Sequence, residues 1–247
     1  MEEEKRTVRA VERALDVLLC FTGKPEWGLS EIAGQIGLHK STVHRLLATL
    51  EDRGFVIRDD ATEKYRLGLR VLELSSNLAR EGDPSVVLLP DMERLRDEID
   101  ETVSLYVRDR NERVRIQAVQ SGQAIRRVAT VGARLPLSVG ASSKVLLAFD
   151  EPSVRDSAMA EPTWPAGLDR TAYARQLDEI HSLGYATSFE EREPGAAAVS
   201  APIFNRAGKL VAALAVSGPS NRLTPDVMHE HAPAIMEAAK RMGRLLG

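Results

Sequence analysis

The stretch from Leu29 to Arg53, LSEIAGQIGLHKSTVHRLLATLEDR, constrains the fold more than any other part of the chain. It reads as two short helices joined by a tight turn. Ser30 stands where an N-cap is expected, Glu31 lies in the first turn behind it, and Ile32, Ala33 and Ile36 form an apolar stripe. Gly37 supplies a positive-φ position to end this helix, and Leu38 turns back toward the core. In the second helix Val43, Leu46, Leu47 and Leu50 recur at the i, i+3, i+4, i+7 spacing of one buried face. At about 100° per residue, that stripe turns Ser41, Arg45 and Ala48 outward, flanked by Thr42, His44 and Thr49.

An outward face of small and hydrogen-bonding residues, with Lys40 and Arg45 near its start, suits the DNA major groove. Small residues let the backbone approach, Arg forks onto guanine, and Ser or Thr bonds a base edge or a phosphate. The same periodicity would also describe a solvated helical hairpin, so the flanking segments decide. Upstream, Val8 to Phe21 reads as a helix with Val11, Leu15, Leu18 and Leu19 inward, broken by Gly23-Lys24-Pro25. Downstream, Gly54 ends the third helix, and Phe55 to Arg58 and Lys64 to Leu67 read as two strands joined by the polar turn Asp59 to Glu63. Three helices and a β-hairpin make a winged helix-turn-helix. The expected DNA contacts are Ser30, Lys40, Ser41, Thr42, His44, Arg45 and Thr49, with Arg58 and Lys64 from the wing. Asp59, Asp60 and Glu63 argue against deep insertion of the wing tip.

With 247 residues the chain is long enough for two domains with separate cores. The charge is divided between them: residues 5–70 carry 12 Lys and Arg against 9 Asp and Glu, whereas the whole chain has a net charge of −3. A modestly basic head on an acidic body is compatible with DNA, and any basic surface must come from placement. No run approaches the roughly 18 apolar residues of a membrane span, and the charged start MEEEKRTVRA is unlike a secretory signal. The lone Cys20 rules out an intrachain disulfide framework and reads as buried filler. The histidines His39, His44, His181, His229 and His231 form no metal-binding set, so no metal or cofactor is expected, and the expected compartment is the cytoplasm.

Gly68 to Arg80 is a helical run with Leu69, Leu72, Leu74 and Leu78 on more than one face, a connector that packs on two sides. The expected division is 1–69 for the DNA-binding domain, 70–84 for a linker helix and 85–247 for a second domain. In the second domain Val86 to Asp100 is expected as a helix, followed by strands at Val103–Arg108, Val114–Val119 and Ile125–Ala129. Helices are expected from Gly140 to Ala148 and from Thr171 to Leu183, the latter ended by Gly184. Strands return at Tyr185–Phe189, Ala196–Phe204 and Lys209–Ser217, and a helix from Pro225 to Leu246 closes the chain. The fold class is α+β, with a mixed sheet flanked by helices.

The chain resembles the IclR family of bacterial transcriptional regulators. The N-terminal resemblance rests on Glu12-Arg13-Ala14-Leu15, Leu29 to Ala33, Lys40 to Leu47 and Tyr65-Arg66-Leu67-Gly68. The C-terminal part rests on Leu135-Pro136-Leu137, Lys144 to Ala148, Glu191 to Gly195, Val199 to Ile203 and Val216 to Pro219. It implies a winged helix-turn-helix domain, a linker helix and a GAF-like effector domain. It also implies a homodimer or homotetramer that binds a double-stranded DNA operator and responds to a small-molecule effector.

Residue by residue, the resemblance places an effector pocket at Ala141, Ser142, Ser188, Ala198, Ala215 and Ser217. Independently of it, the amides at a helix start are unpaired and attract a carboxylate. Members that bind the smallest organic acids have polar side chains where Ala198 and Ala215 stand, so the resemblance favours a bulkier or partly apolar effector, such as an organic or aromatic acid or an amino-acid relative. Arg192 is a candidate counter-ion, unless Glu190, Glu191 and Glu193 neutralise it. Plain close packing of sheet on helix would also favour these alanines.

Two other readings compete: a DNA-binding protein without a ligand, and an enzyme with a DNA-binding head. A Ser-x-x-Lys nucleophile would need Ser at position 141, where Ala stands, which leaves Lys144 expected at the surface of its helix. Glu190, Glu191 and Glu193 read as a solvated loop, and no phosphate-binding glycine loop occurs. No catalytic residue is expected.

Overall fold

Val43, Leu47 and Leu50 of the second helix in the Leu29–Arg53 stretch are buried against Val17, Cys20, Phe21, Ile32 and Ala33, the core of a small N-terminal unit. A computed structural model of the protein describes residues 7–76, 83–126 and 128–247. The chain divides into two compact units, 1–80 and 81–247.

The first unit holds α1 (Arg9–Cys20), α2 (Leu29–Gln35) and α3 (Lys40–Asp52), followed by the antiparallel pair β1 (Val56–Arg58) and β2 (Tyr65–Leu67) and then α4 (Leu69–Ser76). Gly37 has φ +64° between α2 and α3, as the turn requires. Ser30 is not the cap of α2. Gly28 holds that position, and its amide donates to the Glu31 carboxylate at 2.7 Å. The buried side of α1 also differs from expectation. Val17, Cys20 and Phe21 enter the core, while Val11, Leu15 and Leu19 are exposed together with Val8. A helix with apolar residues on two sides turns only one of them to a core this small, and α2 and α3 pack on the Val17 side. In α4, Leu69, Leu72 and Leu74 are exposed as well, while Leu78 and the end of the expected linker helix lie outside the described residues.

The second unit opens with α5 (Pro84–Val87) and α6 (Leu89–Ile99) in place of one helix from Val86. Pro90 accounts for the break: it has no N–H to donate, and its ring crowds the carbonyl four residues back, so a new helix starts there. The six-stranded sheet runs in the order β5-β4-β3-β8-β7-β6. Its strands are β3 (Thr102–Asp109), β4 (Glu112–Val119), β5 (Arg134–Pro136), β6 (Ala186–Phe189), β7 (Ala196–Phe204) and β8 (Leu210–Pro219). Every pairing is antiparallel, so the expected mixed sheet is corrected. No strand forms at 125–129 among the described residues. Ile125 and Val128 are exposed, and the edge of β4 is paired with 134–136 instead. Alternation alone makes no strand without an edge to pair with; Arg127 lies outside the described residues.

Side-chain alternation divides this sheet between two cores. Val103, Leu105, Val199, Ile203, Leu214 and Val216 face α6 and α10 (Pro225–Gly243). Tyr106, Ala186, Ala213 and Ala215 face α7 (Ala141–Ala148), α8 (Pro152–Ala160) and α9 (Arg170–Leu183). Helix α8 was not anticipated in the sequence. Helix α9 ends at Gly184 in the left-handed conformation. All eight residues of α7 are buried, Ser142, Ser143 and Lys144 included.

Close packing of α10 on β7 depends on Gly243, where an added Cβ would lie 2.0 Å from the Phe204 carbonyl oxygen. Gly243→Ala should therefore lower stability by about 1–3 kcal/mol through overpacking. An unchanged urea midpoint for the full chain would show that α10 slides away without loss.

Candidate functional site

Candidate residues lie in both units. In the first, the side of α3 opposite Val43, Leu47 and Leu50 is open: Lys40, Ser41, His44, Arg45 and Thr49 are exposed along it, and Thr42 is half-buried. Local hydrogen bonds already engage two of these hydroxyls. Ser41 Oγ lies 2.9 Å from His39 Nδ1, and Thr49 Oγ1 donates to the Arg45 carbonyl at 3.0 Å. His39 caps α3, its Nδ1 accepting from the Ser41 amide at 3.4 Å. Ser30, His44, Arg58 and Lys64 come together around one cleft of about 460 Å³ bounded by the start of α2, α3 and the wing.

Acidic groups of this unit are largely tied to its own cations and amides. Lys24 Nζ meets Glu31 at 2.6 Å, and this bond, with the Gly28 amide second, holds the Glu31 carboxyl below the usual carboxylate range. At the wing tip the Asp59 carboxylate accepts from the Thr62 amide at 2.8 Å, from Thr62 Oγ1 at 3.1 Å and from the Ala61 amide at 3.0 Å. The Thr62 amide is the largest of the influences that hold Asp59 below its ordinary value. Arg58 is partly neutralised by Glu63 at 2.8 Å. Lys40, Arg45, Lys64 and Arg66 make no ion pair among the described residues and remain available to phosphates.

In the second unit Ala141, Ser142, Ser188, Ala198, Ala215 and Ser217 line one cavity of about 50 Å³. The hydroxyls of Ser142, Ser188 and Ser217 have no hydrogen-bond partner among the described residues. The amides of Ala141 and Ser142, at the start of α7, are likewise unpaired, while the Gly140 amide donates to Glu191 Oε2 at 3.3 Å. Gly140 has φ +97°, and a Cβ there would lie 2.9 Å from Arg113 Nη2. Only glycine fits a position that combines this backbone with so close a guanidinium.

The same cavity is lined by Tyr106, Arg113 and Arg115, which the sequence reading did not single out, and by Arg192. These side chains stand with Ala198 and Ala215 around one space, which is small in this structure. Roughly 10–15 Å³ accommodates one water, so a cavity of about 50 Å³ suits a molecule of a few heavy atoms. Arg115 donates from Nε and Nη2 to Tyr106 Oη at 3.0 and 2.6 Å and from Nη1 to the Thr130 carbonyl at 3.1 Å. Arg113 donates from Nη1 to the Pro136 and Val139 carbonyls at 3.2 and 2.5 Å, and its buried Nε has no partner. Burial pushes the Arg113 guanidinium down to about 10. Arg192 pairs with Glu193 at 2.9 Å. One signal in the sequence pointed toward the pair: Arg113 and Arg115 alternate along a half-buried strand and so share its face.

Lys144 is not at the surface. It is 2% exposed, its Nζ donates to the Thr187 carbonyl at 3.1 Å, and it pairs with the Glu191 carboxylate. Ser143 Oγ donates to the Pro136 carbonyl at 2.8 Å. The ammonium and this hydroxyl are each bonded elsewhere, an arrangement unlike a Ser-Lys nucleophile. Among the described residues no cluster of three His, Cys, Asp or Glu is placed to hold a metal, and no helix is long and apolar enough to cross a membrane.

A winged helix-turn-helix unit beside an α+β unit with a small cavity on one sheet face defines a DNA-binding regulator with a sensor domain. Residues 85–244 match the family described as Bacterial transcriptional regulator IclR C-terminal, and residues 10–60 match the IclR helix-turn-helix domain. The chain belongs to the IclR family of bacterial transcriptional regulators. It is 31% identical over 244 residues to the HTH-type transcriptional regulator KipR of Bacillus subtilis (strain 168), covering 97% of each chain. Among solved structures it is similar to an IclR transcriptional regulator from Alicyclobacillus acidocaldarius, with a TM-score of 0.81, 26% identity and coverage of 98% of this chain and 100% of that one. It is also similar to an IclR homolog from Microbacterium hydrocarbonoxydans complexed with 4-hydroxybenzoate, with a TM-score of 0.75, 27% identity and coverage of 93% and 98%.

Glu191 ties the start of α7 to the loop that follows β6. Glu191→Gln should cost about 1–3 kcal/mol, because it leaves the buried Lys144 ammonium with a neutral partner. Equilibrium denaturation checks this, and an unchanged midpoint would mean that solvent reaches Lys144 Nζ.

Proposed function

We propose that this IclR-family regulator reads a duplex operator through α3 and controls that binding by taking a small organic acid into the cavity of its second unit. The observation that carries the effector reading is the cavity lining: unpaired amides of Ala141 and Ser142, three unpartnered serine hydroxyls and the Arg113 guanidinium converge on one small space. Such a set matches a carboxylate, with Ala198 and Ala215 as its apolar floor. The relative complexed with 4-hydroxybenzoate supports an acid as the class of ligand. The volume of about 50 Å³ favours one smaller than that. Catalysis has no part in this reading, and the expected setting is the cytoplasm.

On DNA, Lys40, Ser41, Thr42, His44, Arg45 and Thr49 face the groove in this proposal, with Ser30, Arg58 and Lys64 against the backbone. The protein acts as a homo-oligomer, since half-sites a helical turn apart need two copies at a fixed spacing. The apolar stripe of Val8, Val11, Leu15 and Leu19, exposed on α1, supports self-association.

Arg45→Ala should cost about 1–3 kcal/mol of operator affinity and relax specificity at one base pair, whereas Lys40→Ala should weaken all sequences evenly and reduce the salt slope by about 1. Operator titrations of both variants that overlay the wild type would refute the assignment of α3, and sedimentation of a monomer on the operator would refute the oligomer.

Ala198→Phe should fill the cavity and abolish binding of acids found in a thermal-shift screen, while operator affinity without ligand stays near the wild-type value. Calorimetry decides: equal acid affinity in the two proteins would place the effector site elsewhere, and equal affinity with and without operator would remove the regulatory role.

A further inference from the structure

Arg113 and Arg115 lie two apart on β4 and turn to the sheet face that carries the cavity. They are 3% and 7% exposed, and neither makes an ion pair with a carboxylate among the described residues. Both guanidiniums lie against one ring, 5.5 and 5.1 Å from the Tyr106 centroid. Glu191, the acid that reaches this region, is already bound to Lys144 and to the Gly140 amide. Arg192 has its own partner in Glu193. Two buried like charges therefore share one wall without a counter-charge, an arrangement that is expensive unless an anion completes it. The donors point the same way. Arg113 Nη2 has no hydrogen bond among the described residues and is the guanidinium nitrogen left to meet an anion, while Nε is enclosed without a partner.

We propose that the acid this cavity takes is a small dicarboxylate, whose two charges answer the Arg113–Arg115 pair. The inference rests on the effector reading above and adds the charge of the ligand. One carboxylate lies at the start of α7, where Arg113 Nη2 joins the Ala141 and Ser142 amides. The other lies on the Arg115 side of Tyr106. A monocarboxylate answers only the first of these and leaves Arg115, bonded to Tyr106 and Thr130, buried without a counter-charge. The small volume limits the chain between the two carboxylates to very few carbons.

The test compares ligands of equal shape and different charge on the full-length wild-type protein, by calorimetry: oxalate against oxamate, and malonate against malonamate. At least one dicarboxylate should bind roughly tenfold to a hundredfold more tightly than its amide, the range of a charge-assisted hydrogen bond set lost in a buried site. Arg115→Gln should remove that preference while leaving the amide's affinity within a few-fold, whereas Arg113→Gln should weaken the acid and its amide alike. Neither variant should lower the ligand-free melting temperature by as much as it reduces the ligand-induced rise. Equal affinity for acid and amide in the wild type, which requires no folded variant, would overturn the dicarboxylate inference and leave the effector site standing. Absence of binding by all four probes would overturn it too. The effector reading would then be judged separately, by whether monoacids from the broader screen bind the wild type and not Ala198→Phe.

Discussion

A helix buried on every side must satisfy its polar side chains inside the protein, and α7 does this for Ser143 and Lys144 with three bonds, leaving the Ser142 hydroxyl to the cavity. Ser143 donates to the Pro136 carbonyl at the end of β5, and Lys144 reaches Thr187 on β6 and Glu191 beyond it. Buried polar groups tolerate no loose geometry, since an unmade bond costs more than a made one contributes. The start of α7 is thereby pinned to both edges of the sheet. Its free amides then face Ala198, Ala215 and Ser217 at a fixed distance, and the Arg113 guanidinium closes on Gly140 from β4. The cavity is small because each wall is held by a neighbour with no freedom to withdraw.

The N-terminal unit solves a different problem with a smaller core. Val43, Leu47 and Leu50 belong to a core of ten residues, and their spacing on one face of α3 leaves the other side of that helix facing water. Backbone bonds add to the core contacts of Val56 and Tyr65 in holding the hairpin: Trp27 and Tyr65 exchange amide bonds at 3.0 and 2.8 Å, which joins the segment before α2 to β2. Asp59 holds the turn of the wing, so an acidic residue at its tip serves the fold in place of opposing phosphate. Local bonding thus gives a positive surface to a unit whose acidic and basic residues are nearly balanced in number.

What could be read in the sequence was set by the range of the contact involved. The α2–α3 hairpin, the limits of β7 and the end of α9 at Gly184 follow from spacing and from one glycine each, and the structure agrees with them. The six effector positions, which the resemblance to the family implies, line one cavity, and alternation by itself accounts only for the face that Ala215 and Ser217 share. Lys144 was misjudged because its partner Glu191 lies 47 residues away, and no local pattern distinguishes a buried lysine from a surface one. Arg113 and Arg115 escaped for a related reason. Alternation gives the face a strand residue occupies, but the neighbour order β4-β3-β8 decides what lies opposite it. The exposed side of α1 was invisible in the same way, since both of its apolar stripes satisfy the helical period.

The size of the cavity also limits how regulation can work. The best small ligands gain at most about 1.5 kcal/mol per heavy atom, so an acid of about six such atoms binds with no more than roughly 9 kcal/mol. Moving a two-state equilibrium from 1:99 to 99:1 takes a difference of about 5.5 kcal/mol between the states. More than half of everything such a ligand can contribute must therefore be realised in one arrangement and lost in the other. A site formed equally well in both would bind the acid and shift nothing. Buried guanidiniums suit that demand better than apolar walls of the same size. Their interaction with an anion is strong only while water is excluded, so a small opening that admits solvent to Arg113 and Arg115 removes most of the binding energy at once. In a cavity of about 50 Å³, the admission of a few waters is already a change of state.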